Sequence, residues 1–207
     1  MDSLELTYGD SLVHITWYQA YEPLEIATPY GDARSVRYNV AGTWPSAYFD
    51  GFDKAPQLTD SFYSVYRDYI DLARSNPTVL EMSLDSATTR LDSTTMSVGV
   101  HITPTDSTLD ATRGLMLVAV VFEDSAPYYS SLHGDTAYAR FCARAVLGDT
   151  WGVPVSLKFG TDFDTVMTTP IGSWRPEHLG VAVFVQDTAT NRVLQSVGKR
   201  RFENILK

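Results

Sequence analysis

At Asn76-Pro77 the hydrophobic period of this chain changes from near 3.6 to 2, which divides it into a part with helices and a part built from strands. Before the proline, Phe62, Val65, Tyr66, Tyr69, Ile70 and Ala73 recur at i, i+3, i+4, i+7, i+8 and i+11. That spacing predicts a helix over 61–74 with these side chains on one face. Thr59, Asp60 or Ser61 can cap its first turn, and Pro77 has no N–H with which to continue it. After the proline, Leu80, Met82 and Leu84 alternate with Val79, Glu81 and Ser83, and Met96, Val98, Val100 and Ile102 alternate with polar or small residues. Alternation marks strands with one buried and one wet face. Leu115 to Phe122 is apolar on both faces, as a central strand is. Val153–Phe159, Gly180–Gln186 and Arg192–Val197 complete the strand set, the last two joined by a hairpin-like loop over 187–191. Short strands separated by turns predict an antiparallel sandwich over 78–207. One stretch breaks the pattern. Thr136–Leu147 places Ala137, Tyr138, Phe141, Cys142, Ala145 and Val146 at helical spacing and reads as a short helix.

The first 77 residues read as a mixture. Leu12–Tyr18 is β-branched and aromatic, hence a strand; Tyr21–Gly31, with Pro23, Pro29 and Gly31, is a loop. Asp32–Val40 reads as a short helix, Ser46–Phe49 as a strand, Asp50-Gly51 as a turn and Lys54–Leu58 as a further short strand. The helix at 61–74 is expected to pack on the sandwich through Tyr66, Tyr69 and Ile70. The fold class is therefore α+β, with domains at 1–77 and 78–207. At 207 residues and 44% hydrophobic the chain can build both.

Charge and cysteine usage exclude several functions. A net charge of −9 opposes nucleic-acid binding, which relies on Lys and Arg against phosphates. Lys199-Arg200-Arg201 reads as a solvated strand end. No apolar run reaches the roughly 20 residues of a membrane span. Asp2 and Glu5 stand where a secretory leader carries basic residues, so no leader is expected within the chain. The single cysteine, Cys142, allows neither an internal disulfide nor a Cys-rich zinc site. His14, His101, His133 and His178 lie far apart and form no zinc-binding pair on a helix. No nucleophile elbow, phosphate loop or dinucleotide fingerprint occurs. Glu123-Asp124 could bind a cation or move protons, but neighbours on a strand point to opposite faces, so the pair reads as a polar strand end. Cys142 sits among apolar residues and reads as a buried thiol, with Arg140 and Arg144 close enough to keep a reactive one open. Neither a catalytic residue, nor a metal, nor a cofactor is expected. Trp17, Tyr18, Tyr21, Tyr30, Trp44 and Tyr48 crowd the first part as packing or as a ligand groove; Trp17, Tyr18, Trp44 and Pro45 are the candidate ligand-binding residues.

The order of helix end, Gly42 turn, Pro45 and strand in Tyr38–Gly51 resembles thioredoxin-like domains around their cis-proline. Those domains work through a Cys-x-x-Cys loop beside that proline, and this chain has none. The resemblance implies a cis Pro45 beside Trp17 or Tyr18. The whole chain resembles the twenty-eight-kilodalton outer-membrane lipoprotein family of Bacteroidota. The likeness runs through Tyr8-Gly9-Asp10-Ser11-Leu12-Val13-His14-Ile15-Thr16-Trp17-Tyr18, Arg37–Gly42, Pro45–Gly51, Leu117–Asp124, Phe141–Leu147 and Val181–Asp187. It implies an incomplete thioredoxin-like part followed by a β-sandwich, anchored by lipid at the outer membrane and facing the periplasm or cell surface. The expected function is non-catalytic binding of an adhesin type, with a protein, peptide or glycan partner at the cell envelope and a second copy of the chain as a further candidate. The alternative is the downstream part of a thiol–disulfide oxidoreductase whose Cys-x-x-Cys precedes Met1.

Overall fold

The computed structural model describes residues 2–19, 22–40, 46–55, 62–109 and 113–202. The first part contains α1 (Asp2–Tyr8), α2 (Pro29–Arg37), β1 (Tyr48–Phe49), β2 (Asp53–Lys54) and α3 (Phe62–Ser75). Next come β3 (Leu80–Leu84), β4 (Arg90–Leu91), β5 (Thr95–Pro104), β6 (Leu115–Glu123), β7 (Ala126–Ser130) and β8 (Asp135–Ala139). β9 (Cys142–Val146), β10 (Val153–Val155), β11 (Phe163–Pro170), β12 (Leu179–Asp187) and β13 (Val193–Lys199) complete the chain. The fold is α+β, and its strand ladders are antiparallel.

Two sheets face each other. One runs β10-β6-β12-β13, with β9 also on β6; the other runs β11-β5-β3, with β4 also on β5. Met96, Val98, Val100 and Ile102 of β5 meet Leu117, Ala119 and Val121 of β6 and Val181, Val183 and Val185 of β12 in one core. This is the sandwich expected from the alternation after Pro77. A β7–β8 hairpin projects beside it.

The opposite face of the β6–β12 sheet is also dry. Val118, Val120 and Phe184 pack against Ile15, Trp17 and Tyr30, while Phe122 and Ala182 pack against Val13 and Ile15. β6 is apolar on both faces because each face has a cover: the second sheet on one side, and residues 13–17 with α2 on the other.

That cover explains why Leu12–Tyr18 is not a strand. The segment is extended but joins a ladder at one point, a parallel bridge between Thr16 and Cys142. Thr16 donates its N–H to the Phe141 carbonyl at 2.8 Å and accepts from the Ala143 N–H at 2.9 Å. Its β-branched and aromatic side chains lie across the sheet face instead of pairing within a sheet. The helix expected at Thr136–Leu147 is likewise corrected to β8 and β9. Phe141, at φ +48°, interrupts any helix there, and both faces of β9 are buried. Short alanine side chains satisfy helical and strand spacing equally, so the apolar pattern did not discriminate. The strand expected over Val153–Phe159 stops at Val155, where Lys158 and Thr161 bridge a tight turn.

α2 begins three residues earlier than expected. Thr28 caps it by accepting from the Gly31 N–H, and Pro29 occupies the first turn, where it sacrifices no bond. α3 forms as its spacing predicts, but its inner face does not pack on the sandwich. Ile70 meets Leu4 and Tyr8 of α1, and Phe49 of β1 lies between the rings of Tyr66 and Tyr69, at 5.3 and 5.2 Å. Asp50 and Gly51 both take positive φ, the conformation a tight hairpin needs, so the turn is placed as read, while the strand expected over Ser46–Phe49 is reduced to Tyr48–Phe49. The second short strand is Asp53–Lys54; residues 56–58 of its expected range lie outside the described residues.

Candidate functional site

Of the four candidate ligand-binding residues, Trp44 and Pro45 lie outside the described residues, and with them the cis assignment. Trp17 and Tyr18 are described and part company, as neighbours on an extended segment must. Trp17 faces the β6–β12 sheet; Tyr18 turns toward Ile26, Ala126, Ala139 and Cys142.

The Tyr18 side holds the thiol. Cys142 is fully buried and its Sγ–H donates to the Ile26 carbonyl at 3.4 Å. Burial pushes the thiol up to about 11, outweighing the opposite pull of Arg144. Burial likewise raises the Tyr18 phenol to about 12. A thiol held neutral is a poor nucleophile. The shift also gives a pH dependence. The folded value lies above the unfolded one, so the stability is fully present below about pH 8.5 and is lost as pH rises through 11. By pH 10.5 the wild-type chain should have lost roughly 2 kcal/mol more than Cys142→Ala, read from urea melts at stepped pH. Parallel curves for the two proteins would show that the thiol is not buried in solution.

Beside Cys142 lies an ion cluster. Glu123 is 1% exposed. Its Oε2 accepts from Arg144 Nε at 2.9 Å and Nη2 at 2.6 Å, and its Oε1 accepts from Arg175 Nε at 2.8 Å. Asp124 accepts from Arg140 Nε. The outer nitrogens of the cluster reach main-chain oxygens, Arg144 to Glu25 and Arg175 to Asp124 and Ser125. Glu123-Asp124 is thus a strand end, but a buried and neutralised one. Both carboxylates are occupied by guanidinium groups. The arginines come from β9, the turn before it and a loop fifty residues on, which is why adjacency in sequence showed only the acids.

The Trp17 side holds a different arrangement. Arg34 of α2 is 2% exposed, and its guanidinium carbon lies 5.2 Å from the Trp17 ring, 5.4 Å from Trp151 and 5.9 Å from Phe184. Its Nη1 donates to Gln186 Oε1 at 3.1 Å. Gln186 in turn donates to the Tyr38 hydroxyl at 2.8 Å and the Asn191 carbonyl at 2.6 Å. One helical turn on, Arg37 stacks on the same Trp151 ring at 5.3 Å and donates through Nε to Asn191 Oδ1 at 2.7 Å. Burial lowers the Arg34 pKa; Tyr38 opposes this, and the charge of Arg37 adds to it. Reading the sequence found Trp17 but missed Arg34, Arg37 and Trp151. The i, i+3 spacing of the arginines on one helix face was the available signal.

These features define a class: an α+β protein whose antiparallel sandwich carries a helical cover, with a sealed thiol and an arginine–tryptophan hub between cover and sheet. No protein-family model matches the sequence, and no curated sequence matches it. Among solved structures the chain is similar to HBP35 of Porphyromonas gingivalis, at 11% identity and a TM-score of 0.63, over 86% of this chain and 62% of that one. The chain therefore spans less than two thirds of the HBP35 chain, and at this identity the likeness shows a shared fold. Also similar are a domain of the outer membrane lipoprotein Omp28 from Porphyromonas gingivalis (16% identity, TM-score 0.42, 60% of this chain and 88% of that one) and a β-glucosidase from Kluyveromyces marxianus (15%, 0.33, 67% and 17%).

Proposed function

We propose that this chain is the non-catalytic binding part of a bacterial outer-membrane or surface lipoprotein. Residues 1–77 are a truncated thioredoxin-like part with no Cys-x-x-Cys of their own, and 78–207 are the sandwich. Its partner is a protein, peptide or glycan at the cell envelope, and it works as an adhesin-type module. The observation that carries this reading is the state of Cys142: buried, hydrogen-bonded to a carbonyl and raised to about 11. A dithiol cycle needs an exposed attacking thiolate and a resolving partner, and the sequence holds one cysteine. What the likeness to HBP35 of Porphyromonas gingivalis lends to this reading is the fold alone.

The purified chain is expected to reduce insulin disulfides no faster than the uncatalysed background. Turnover that disappears in Cys142→Ser would overturn the non-catalytic assignment. The coding sequence before residue 1 tests the rest. A leader with a lipobox cysteine and no Cys-x-x-Cys supports a lipid-anchored binder; a Cys-x-x-Cys there replaces that reading with the downstream part of an oxidoreductase.

A further inference from the structure

The hub around Arg34 is incomplete as a hydrogen-bonded structure. Among the described residues, Arg34 Nε and Nη2 and Arg37 Nη2 are buried and have no hydrogen-bond partner within 3.5 Å; the Tyr38 side chain is near enough to Arg34 to favour its charged form but does not close this edge. Among the described residues no ion pair joins either guanidinium to an acid; the neighbouring carboxylate on β12, Asp187, is taken by Arg113. Buried charges are normally paired, and buried N–H groups are normally satisfied. Position near the end of α2 explains why cations are tolerated there, since they face the negative end of the helix dipole. Stacking on Trp17, Trp151 and Phe184 satisfies the guanidinium face. Neither explains a bare hydrogen-bonding edge.

The chemistry of that edge is specific. Nε and Nη2 of one guanidinium are the two coplanar donors that match the two oxygens of a carboxylate, a geometry that lysine cannot reproduce. Arg37 Nη2, one helical turn away, supplies a third donor. Arg37, Trp17 and Trp151 are half-buried, so the hub is continuous with the surface.

We infer that Arg34 and Arg37 form a recognition site for a carboxylate, with Trp17 and Trp151 as its aromatic walls. The carboxylate bridges the free edge of Arg34 and Nη2 of Arg37, satisfies the three orphan donors and supplies the missing counter-charge. This deepens the binding role proposed above by naming a ligand class, and it rests on that role only in that the site binds and does not react. A carboxylate of this kind is either a free small acid or the C-terminus of a peptide.

Tryptophan fluorescence and calorimetric titration of the full chain at constant ionic strength test the site. The probes are acetate, inorganic phosphate, and one short peptide with a free or an amidated C-terminus. Acetate or the free peptide should give a saturable response that weakens at least tenfold in Arg37→Gln and in Arg34→Lys. Arg34→Lys keeps the charge and loses the fork; Arg37→Gln keeps the assay decisive should the other variant fail to fold. A response to the free but not the amidated peptide, stronger than to acetate, identifies a peptide C-terminus as the source. A response to acetate that the peptide does not improve identifies a free acid. Absence of a saturable response to any probe, equal responses to phosphate and acetate, or unchanged binding in both variants would overturn the carboxylate site. None of these failures bears on the insulin assay or on the preceding coding sequence.

Discussion

Replacing Arg144 with methionine is expected to destabilise the fold by about 3–5 kcal/mol, because Glu123 would keep its burial and lose the guanidinium that donates twice to its Oε2. The Glu123 side chain is 2% exposed and that of Arg144 10%, so water cannot take over the lost hydrogen bonds without opening the sheet end. Arg175, at 32% exposed, still contacts the other oxygen and limits the loss. The reading is a lower urea midpoint at unchanged m-value. The control separates a broken pair from a valuable one. Changing Glu123 to leucine together with Arg144 and Arg175 to methionine removes the buried carboxylate and both of its guanidinium partners at once, and buried ionic groups replaced in this way are often neutral or stabilising. The triple variant should therefore be more stable than Arg144→Met alone. If the single variant melts like wild type, the cluster is solvated and Glu123 is not buried as described.

Gly31→Ala should cost about 3 kcal/mol, the upper end of what overpacking imposes, since the obstacle is backbone rather than a movable side chain. A Cβ on Gly31 would overlap the carbonyl group of Tyr18, where α2 lies directly against the extended segment. That carbonyl also accepts the Thr28 N–H at 3.2 Å, so it cannot swing away without loosening the start of the helix. The substitution must lift α2 and with it Arg34. Thermal melting should fall, and the emission of Trp17 should shift toward that of a solvated indole. An alanine variant with native stability and native emission would mean that α2 does not dock on residues 17–19 in solution.

What could be read from the sequence follows from how many faces each element buries. α3 has one apolar stripe and β5 alternates, so each announces its own period. β6 reads as central because nothing polar interrupts it before Glu123. β9 is also buried on both faces, yet it is short and alanine-rich, so its apolar residues fit a helix as well as a strand. β11 was missed for a different reason: its inward positions include Thr165 and Thr169 while Val166 points to solvent, which hides the alternation from a hydrophobic count. Residues 12–18 carry true strand propensity, but propensity describes fitness for a pleated, half-buried surface, and lying across a sheet face meets that description too. The candidate site was legible only at Trp17. The Arg34–Gln186 and Arg37–Asn191 contacts join residues 152 and 154 positions apart, and a local pattern carries no information about pairs so distant.

Those separations also set an order of events during synthesis. At roughly 5–20 residues per second, about 8–30 s pass between the emergence of Arg37 and that of Asn191. Throughout that interval α2 can form its turns, but the sheet face meant for Val13, Ile15 and Trp17 does not yet exist. Residues 13–17 are made long before the sheet that seats them. A nascent chain therefore presents this oily stretch to chaperones until the closing hairpin of β12 and β13 has been delivered.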